Sequence, residues 1–438
     1  MQLSANTTEI DLRVSAAEFS LWLERLGPFE STPRLAVACS GGPDSMALLG
    51  LTHDWTKRSG GNVVALIVDH RLRIGSSREA AEVAKALCRY GIRAEILTRE
   101  GGEIHSGLQE RAREARYRLL QEYCRKHGIL HLLVAHHRDD QVETVFMRKA
   151  KASGVDGLAG MTFLLEYKDV RILRPLIDCS KGRLRATVAS WNLPVVEDPS
   201  NNDERFERVR IRRRPTAPAL ANELIEVASR NSLVRRDRES AVAAGLAQTC
   251  ALFPEGYALL DPLIFSSVST EIAHSCLAAI CAMIGGKAHP PRRARTAQLL
   301  KVLTEDRISG GRTLSGCRIV PKGQKLLFFR EANHIEPAMR VETDILWDGR
   351  FRVEISDDLD RLEVTKLGEE GVRELRDAGA LAENCGIPSD VLVTLPAIMG
   401  VEGVRYVPHL CYSRNGDTFN GKIRFAPIRP LQATRFTL

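Results

Sequence analysis

Ten cysteines are scattered through the 438 residues, and no two stand in a C-x-x-C spacing; Cys276 and Cys281 are the nearest pair. That absence excludes the usual zinc and iron–sulfur spacings, and it argues for reduced, buried thiols over a disulfide scaffold. No stretch approaches the ~20 apolar residues of a membrane span. The start, MQLSANTTEIDLRVSAAEF, lacks the basic head and apolar core of a signal peptide, so a cytoplasmic protein is expected. There is no internal repeat and no low-complexity tract. The chain also lacks the dinucleotide fingerprint G-x-G-x-x-G and the nucleotide motif G-x-x-x-x-G-K-S/T. Its net charge of +7 is modest for this length, but arginines crowd particular stretches.

What is present begins with LAVACSGGPDSMALL, residues 35–49. Leu35–Cys39 is a continuous apolar run, as in a strand covered on both faces. Asp44 or Ser45 suits a helix cap, and Met46, Leu48 and Leu49 open an apolar stripe. Gly41 and Gly42 allow positive φ and close approach of a ligand to the main chain. A strand, a glycine loop and a helix N-terminus in that order offer outward N–H groups to an anion. The alternative is a tight turn without a ligand.

Strands are expected at Leu35–Cys39, Val63–Asp69, Ala94–Leu97 and Leu130–Ala135. Helices are expected at Asp44–Thr56, Ser77–Tyr90, Leu108–His127 and Asp139–Lys151. This alternation predicts an α/β domain with a parallel sheet and right-handed crossovers. Ligands of such sheets sit beyond the carboxyl ends of the strands. Three polar clusters fall there: SGGPDS, Asp69-His70, and His136-His137-Arg138-Asp139-Asp140. Residues 153–204 read as less regular. From about 215 to 289 the chain reads as helical, and 292–302 as one more helix. CRIVP, KLLFFRE, RFRVEI, VLVTLP and KIRFAP read as strands. The division expected is 1–215, 216–335 and 336–438, with a mainly helical middle and a small mixed α+β end.

Asp140 and Glu143 are three apart on one helical face, and Asp139 is four from Glu143. Three carboxylates this close repel unless a cation lies among them: Mg²⁺, a substrate ammonium or an arginine. Dipole complementarity alone explains one or two of these acids. Adjacent histidines after a strand point to opposite faces, which disfavours zinc; either contacts ligand or serves as a buried cap. Arg113 and Arg116 are three apart on a basic helix, facing an anion or forming part of a solvated face. RFERVRIRRR (205–214) holds six arginines against one glutamate. Such a run suits RNA phosphate recognition, or else it is a solvated helix.

SGGPDS resembles the SGGxDS loop of the N-type ATP pyrophosphatases, also called PP-loop proteins. VDHRLR (68–73) with Ser76, AHHRDDQVET (135–144) and EDPSNND…RVRIR (197–212) together resemble the tRNA(Ile)-lysidine synthetase family over residues 34–214. TLSGCRIVP is similar to C-terminal regions of longer members. The resemblance implies an adenine nucleotide α-hydrolase-like fold that uses ATP and Mg²⁺. It also implies ligation of free L-lysine to carbon 2 of the wobble cytidine in isoleucine tRNA bearing a CAU anticodon, through an adenylated intermediate.

On this basis Ser40, Gly41, Gly42, Pro43, Asp44, Ser45 and His70 are expected to bind ATP, with Asp44 in reach of Mg²⁺. Asp140, Glu143 and Arg113 are expected to hold lysine and, with Asp44, to serve catalysis. Arg205, Arg208 and Arg212 are expected to meet tRNA. No membrane partner is implied, and the oligomeric state, a homodimer included, stays open. One departure stands out. Many members have Arg-Gly-Ser/Thr-Gly where this chain has Lys151-Ala152-Ser153-Gly154. A cytidine thiolase, an amide-forming synthetase and a non-catalytic RNA-binding protein are the rival readings. The lack of cysteine pairs, the lack of a glutaminase motif and the intact acids argue against each in turn.

Overall fold

The computed structural model describes residues 13–436 except 72–74, 99–107, 168, 192–194, 197–206, 214–216, 306–309, 342–343, 356–361, 383–384, 417, 419 and 432–434. The chain divides into two compact units, Met1–Asp237 with Thr434–Leu438, and Arg238–Ala433. Three stretches with boundaries at 215 and 335 therefore remain a proposal about folding units.

In the first unit, helix α1 (Ala16–Glu24) precedes an alternating series. Its members are β1 (Arg34–Cys39), α2 (Pro43–Arg58), β2 (Asn62–Asp69), α3 (Ser76–Arg89), β3 (Arg93–Thr98), α4 (Leu108–Lys126), β4 (His131–Leu133) and α5 (Arg138–Ala150). Then follow β5 (Leu164–Glu166), β6 (Arg171–Leu173), α6 (Lys181–Ala189), α7 (Glu207–Arg213) and the long α8 (Pro218–Thr249). The sheet order is β20-β5-β6-β4-β1-β2-β3, where β20 is Arg435–Phe436. Strands β6, β4, β1, β2 and β3 are parallel, and β5 and β20 run antiparallel at one edge.

The apolar run of β1 is explained by its two covered faces. Leu35, Val37 and Cys39 join one core cluster with Met46 and Leu49 of α2, while Ala36 and Ala38 join another with Leu120 and Cys124 of α4. Such double burial is what a parallel strand requires. Strands β5 and β6 lie in a stretch that reads as irregular, because three residues each are too few to show a period.

The second unit holds β7 (Cys250–Phe253), β8 (Tyr257–Leu260), α9 (Thr270–Ile284), α10 (Arg293–Thr304), β9 (Arg312–Leu314), β10 (Cys317–Lys322) and β11 (Lys325–Arg330). The stretch to 289, expected to be helical in pattern, is thus interrupted by a hairpin. CALF and YALL read as helical by composition, but Pro254 and the left-handed Gly256 (φ 80°) turn the chain between them. Antiparallel β7-β8-β11-β10-β9 packs on α9 and α10 around Leu277, Ile280, Ile284, Leu300, Ile319 and Phe328.

After these come β12 (Met339–Arg340), β13 (Asp344–Trp347), β14 (Phe351–Ile355), β15 (Glu363–Lys366), α11 (Gly368–Asp377), β16 (Pro396–Gly400), β17 (Gly403–Val407), β18 (Tyr412–Ser413) and β19 (Gly421–Phe425). VLVTLP is not a strand. Its first residues end a short helix, Ser389–Leu392, and the strand begins only at Pro396. Cys88 and Cys411 are exposed, against the expectation that the thiols are buried. No helix among the described residues is long and apolar enough to cross a membrane.

Candidate active site

Beyond the carboxyl ends of β1 and β4, two helix starts face each other. Cys39 ends β1, and Gly41 turns the chain with φ 79°, where an added Cβ would sit 2.9 Å from Val83 Cγ2. Only glycine fits that conformation and that space. Gly42 then caps α2, and Pro43 takes the first helical position, where no N–H is needed. Ser45 folds back into the loop. Its hydroxyl donates to Gly42 O at 2.9 Å and accepts from Ser40 N at 3.1 Å. The loop is held in shape from inside, so the free donors of the first turn of α2 face outward.

His137 caps α5 and is 2% exposed. Its backbone N–H donates to Asp140 Oδ2 at 3.1 Å, the return half of a capping box. The imidazole is ringed by acids: Nε2 lies 3.4 Å from Asp44 Oδ2 and 3.5 Å from Asp140 Oδ2, and Nδ1 lies 3.6 Å from Asp139 Oδ2. Burial opposes a charge here, but the contacts with Asp139 and Asp44 and the field of Asp140 prevail. They lift the His137 pKa to about 9. Asp139 is pulled the other way, to about 2, by His137 and by the Lys181 N–H that it accepts at 2.9 Å. Asp139 thereby also anchors the start of α6.

The expected site residues distribute as follows. Asp44 lies beyond the carboxyl end of β1, and Asp140 and Glu143 lie beyond that of β4, with His137 joining the first two. His70 follows the carboxyl end of β2, where Asp69 accepts from Ser76 Oγ at 2.7 Å and from Arg71 N at 3.0 Å. Burial opposes the Asp69 charge, but these donors and Ser77 keep its carboxyl below the usual range. Arg113 lies on α4 with its guanidinium 5.1 Å from the Tyr117 ring centre, and among the described contacts it does not join the acids. Arg205 lies outside the described residues, as does the side chain of Arg208. Arg212 has an unexpected place. Its Nε donates to Glu143 Oε1 at 2.7 Å and its Nη2 to Asp140 Oδ1 at 2.8 Å. Sequence reading missed this bridge, although three crowded acids had called for a cation and arginine was one candidate.

Asp44 fits a Mg²⁺ ligand. Asp44 Oδ1 is buried with no hydrogen-bond partner, and a carboxylate oxygen is the hard donor that Mg²⁺ prefers. No cluster of three metal-ligating side chains occurs among the described residues. Cys39 is buried, and that burial pushes its thiol pKa up, which disfavours the reactive thiolate.

A parallel sheet carrying this glycine loop defines a PP-loop protein, and the PP-loop domain family matches residues 15–218. The chain is 30% identical to tRNA(Ile)-lysidine synthase of Rickettsia bellii over 92% of its own length and 95% of the relative's. It is 35% identical to the enzyme of that name from Ruegeria pomeroyi, covering 73% and 76% of the two chains. The chain belongs to the tRNA(Ile)-lysidine synthase family. Among solved structures, the U34-tRNA thiolase NcsA of Methanococcus maripaludis is 18% identical with a TM-score of 0.41, covering 49% of this chain and 77% of that one.

Proposed function

We propose that this chain is a cytoplasmic ligase that joins L-lysine to carbon 2 of the wobble cytidine in isoleucine tRNA bearing a CAU anticodon, consuming ATP. The observation that carries the reading is that His137 contacts both the loop acid Asp44 and Asp140 beyond the carboxyl ends of β1 and β4. Chain-wide likeness to enzymes named for that reaction supports it.

The first step transfers AMP. The N–H groups of the 40–45 loop hold the pyrophosphate of ATP, the cytidine 2-oxygen attacks the α-phosphorus, and diphosphate leaves. Asp44 would hold Mg²⁺, which would supply charge to neutralise the departing diphosphate. In the second step the lysine side-chain amine attacks carbon 2, and the carbon–oxygen bond to AMP breaks. Asp140 and Glu143 hold the amine, and a carboxylate there can take its proton. Arg113 helps to hold lysine or the reacting groups, and the arginine-rich 205–214 run guides tRNA phosphates.

Incubation with labelled lysine, ATP and total tRNA tests the reading. Label is expected in isoleucine tRNA alone. Sulfur incorporation, or no transfer with tRNA bound, would replace this function with a thiolase or a non-catalytic binder.

A further inference from the structure

Arg212 occupies the position that the reading above gives to a substrate cation. Two charge-assisted bonds tie it to Asp140 and Glu143, whose side chains are 7% and 10% exposed. Burial opposes the guanidinium charge, but Glu143 and then Asp140 hold its pKa above the ordinary value. Asp140 has both oxygens in use, Oδ2 by the His137 N–H and Oδ1 by Arg212. An incoming ammonium therefore has to compete with Arg212 and the His137 N–H for the Asp140 oxygens while Arg212 stays. The Arg212 side chain is itself 32% exposed, within reach of an outside anion. Guanidinium forks pair with phosphate as readily as with carboxylate.

We infer that Arg212 is an internal stand-in for the lysine ammonium, and that a tRNA phosphate draws it away and so opens the lysine site. This rests on the proposed function and adds an order to it: tRNA first, lysine second. One arginine would then serve both partners, exchanging two carboxylates for a phosphate. The exchange makes the two affinities reciprocal, because whatever removes Arg212 from the acids favours lysine, and lysine in place favours Arg212 on tRNA. It also keeps the amine out of the site until the cytidine is present to be activated.

The test is calorimetric titration of L-lysine into the full-length protein, with and without unmodified isoleucine tRNA. Native protein should bind lysine about 5- to 150-fold more tightly with tRNA present, the usual range of such coupling. Arg212→Gln should bind lysine more tightly than native protein in the absence of tRNA and show little further gain when tRNA is added. Arg212→Lys, which keeps the charge but loses the fork, should fall between. A purely structural role predicts the opposite sign. If Arg212→Gln weakens lysine binding, or native lysine affinity ignores tRNA, the inference is overturned. Should the glutamine variant not fold, the native comparison with and without tRNA still decides. Lysidine formation with tRNA-independent lysine affinity sinks the inference alone; neither lysine binding nor lysidine sinks the proposed function with it.

Discussion

His137 Nε2 lies 3.4 Å from Asp44 Oδ2, so the helix start after β4 is fastened to the phosphate loop after β1. A charged imidazole among Asp44, Asp139 and Asp140 neutralises part of an acidic nest that would otherwise repel nucleotide. It leaves Asp44 Oδ1 without a hydrogen bond. The relationship separates two jobs within one carboxylate: one oxygen is positioned by the protein, and the other is available to a metal ion.

Asp44→Ala should therefore abolish turnover while the fold survives. Asp44 belongs to the first turn of α2, where the loop is shaped by Gly41 and Ser45 rather than by Asp44 itself. Circular dichroism should stay native, and melting should fall because the buried His137 loses one of its acids, while lysidine formation disappears. Near-normal lysidine formation would remove Asp44 from the machinery.

Neutralising Glu143 should affect lysine use rather than tRNA affinity. Glu143→Gln keeps the size of the side chain but loses the charge that Arg212 now meets at 2.7 Å. We predict a raised lysine KM or a stalled second step, with adenylate accumulating. A weaker tRNA complex with an unchanged lysine KM would show that the acid serves RNA binding instead.

Much of the catalytic unit was legible because its signals are local. The strand β1, the left-handed glycine and the proline at the helix start each follow from their own few residues. The acid triplet at 139–143 likewise announced a cation, but not which one. The Arg212 bridge spans 69 residues to Glu143 and 72 to Asp140, a distance no periodicity encodes. The β7–β8 hairpin was missed because alanine and leucine favour helix, and its pairing to β11 is long-range. VLVTLP was misread because a β-branched run says nothing about where a chain bends. The roles of Gln141, which exchanges bonds of 2.7 and 2.8 Å with the Met161 backbone, were equally silent.

Arg208 lies in α7 within the arginine-rich run. If that run neutralises tRNA phosphates, Arg208→Ala should weaken tRNA binding and reduce the log–log salt slope by about one unit. ATP and lysine affinities in the absence of tRNA should not move. A slope identical to native would return Arg208 to an ordinary solvated helix.

In the second unit, Asp348 is buried between Arg330 and Arg350. It accepts from Arg330 Nη2 at 2.7 Å, Arg350 Nε at 2.7 Å and Glu336 N at 3.1 Å. Asp348→Asn would leave two buried guanidinium groups without their counter-charge, at a cost of about 3–5 kcal/mol. Urea unfolding should read that loss. Burial raises the Asp348 pKa, but the two arginines outweigh it and hold the carboxyl below its usual range. Its contribution is thus fully present above the unfolded value near 3.9 and fades as pH falls through the lower folded value. In the asparagine variant this acid-dependent loss should vanish. A stability of the variant within about 1 kcal/mol of native would mean that the arginines find other partners.

The departure at Lys151-Ala152 has a measurable consequence for stability. Helix α5 ends at Ala150, Lys151 is its C-cap, and Ala152 follows with φ 50°. Its N–H donates to Lys149 O at 3.1 Å and the next N–H, of Ser153, to Arg148 O at 2.9 Å, so the chain reverses at that residue. Glycine is favoured at such helix ends because a Cβ crowds the neighbouring carbonyl in the left-handed region, at a cost of about 1–2 kcal/mol. Part of that gain is offset by the greater freedom of glycine in the unfolded chain, about 0.5–1 kcal/mol. Ala152→Gly should therefore stabilise the first unit by about 0.5–1 kcal/mol, a rise of about 2 °C in its melting transition. The side chain removed is exposed, so no packing is lost in exchange. A variant that melts lower than native would show that Ala152 contributes a contact outweighing its backbone strain.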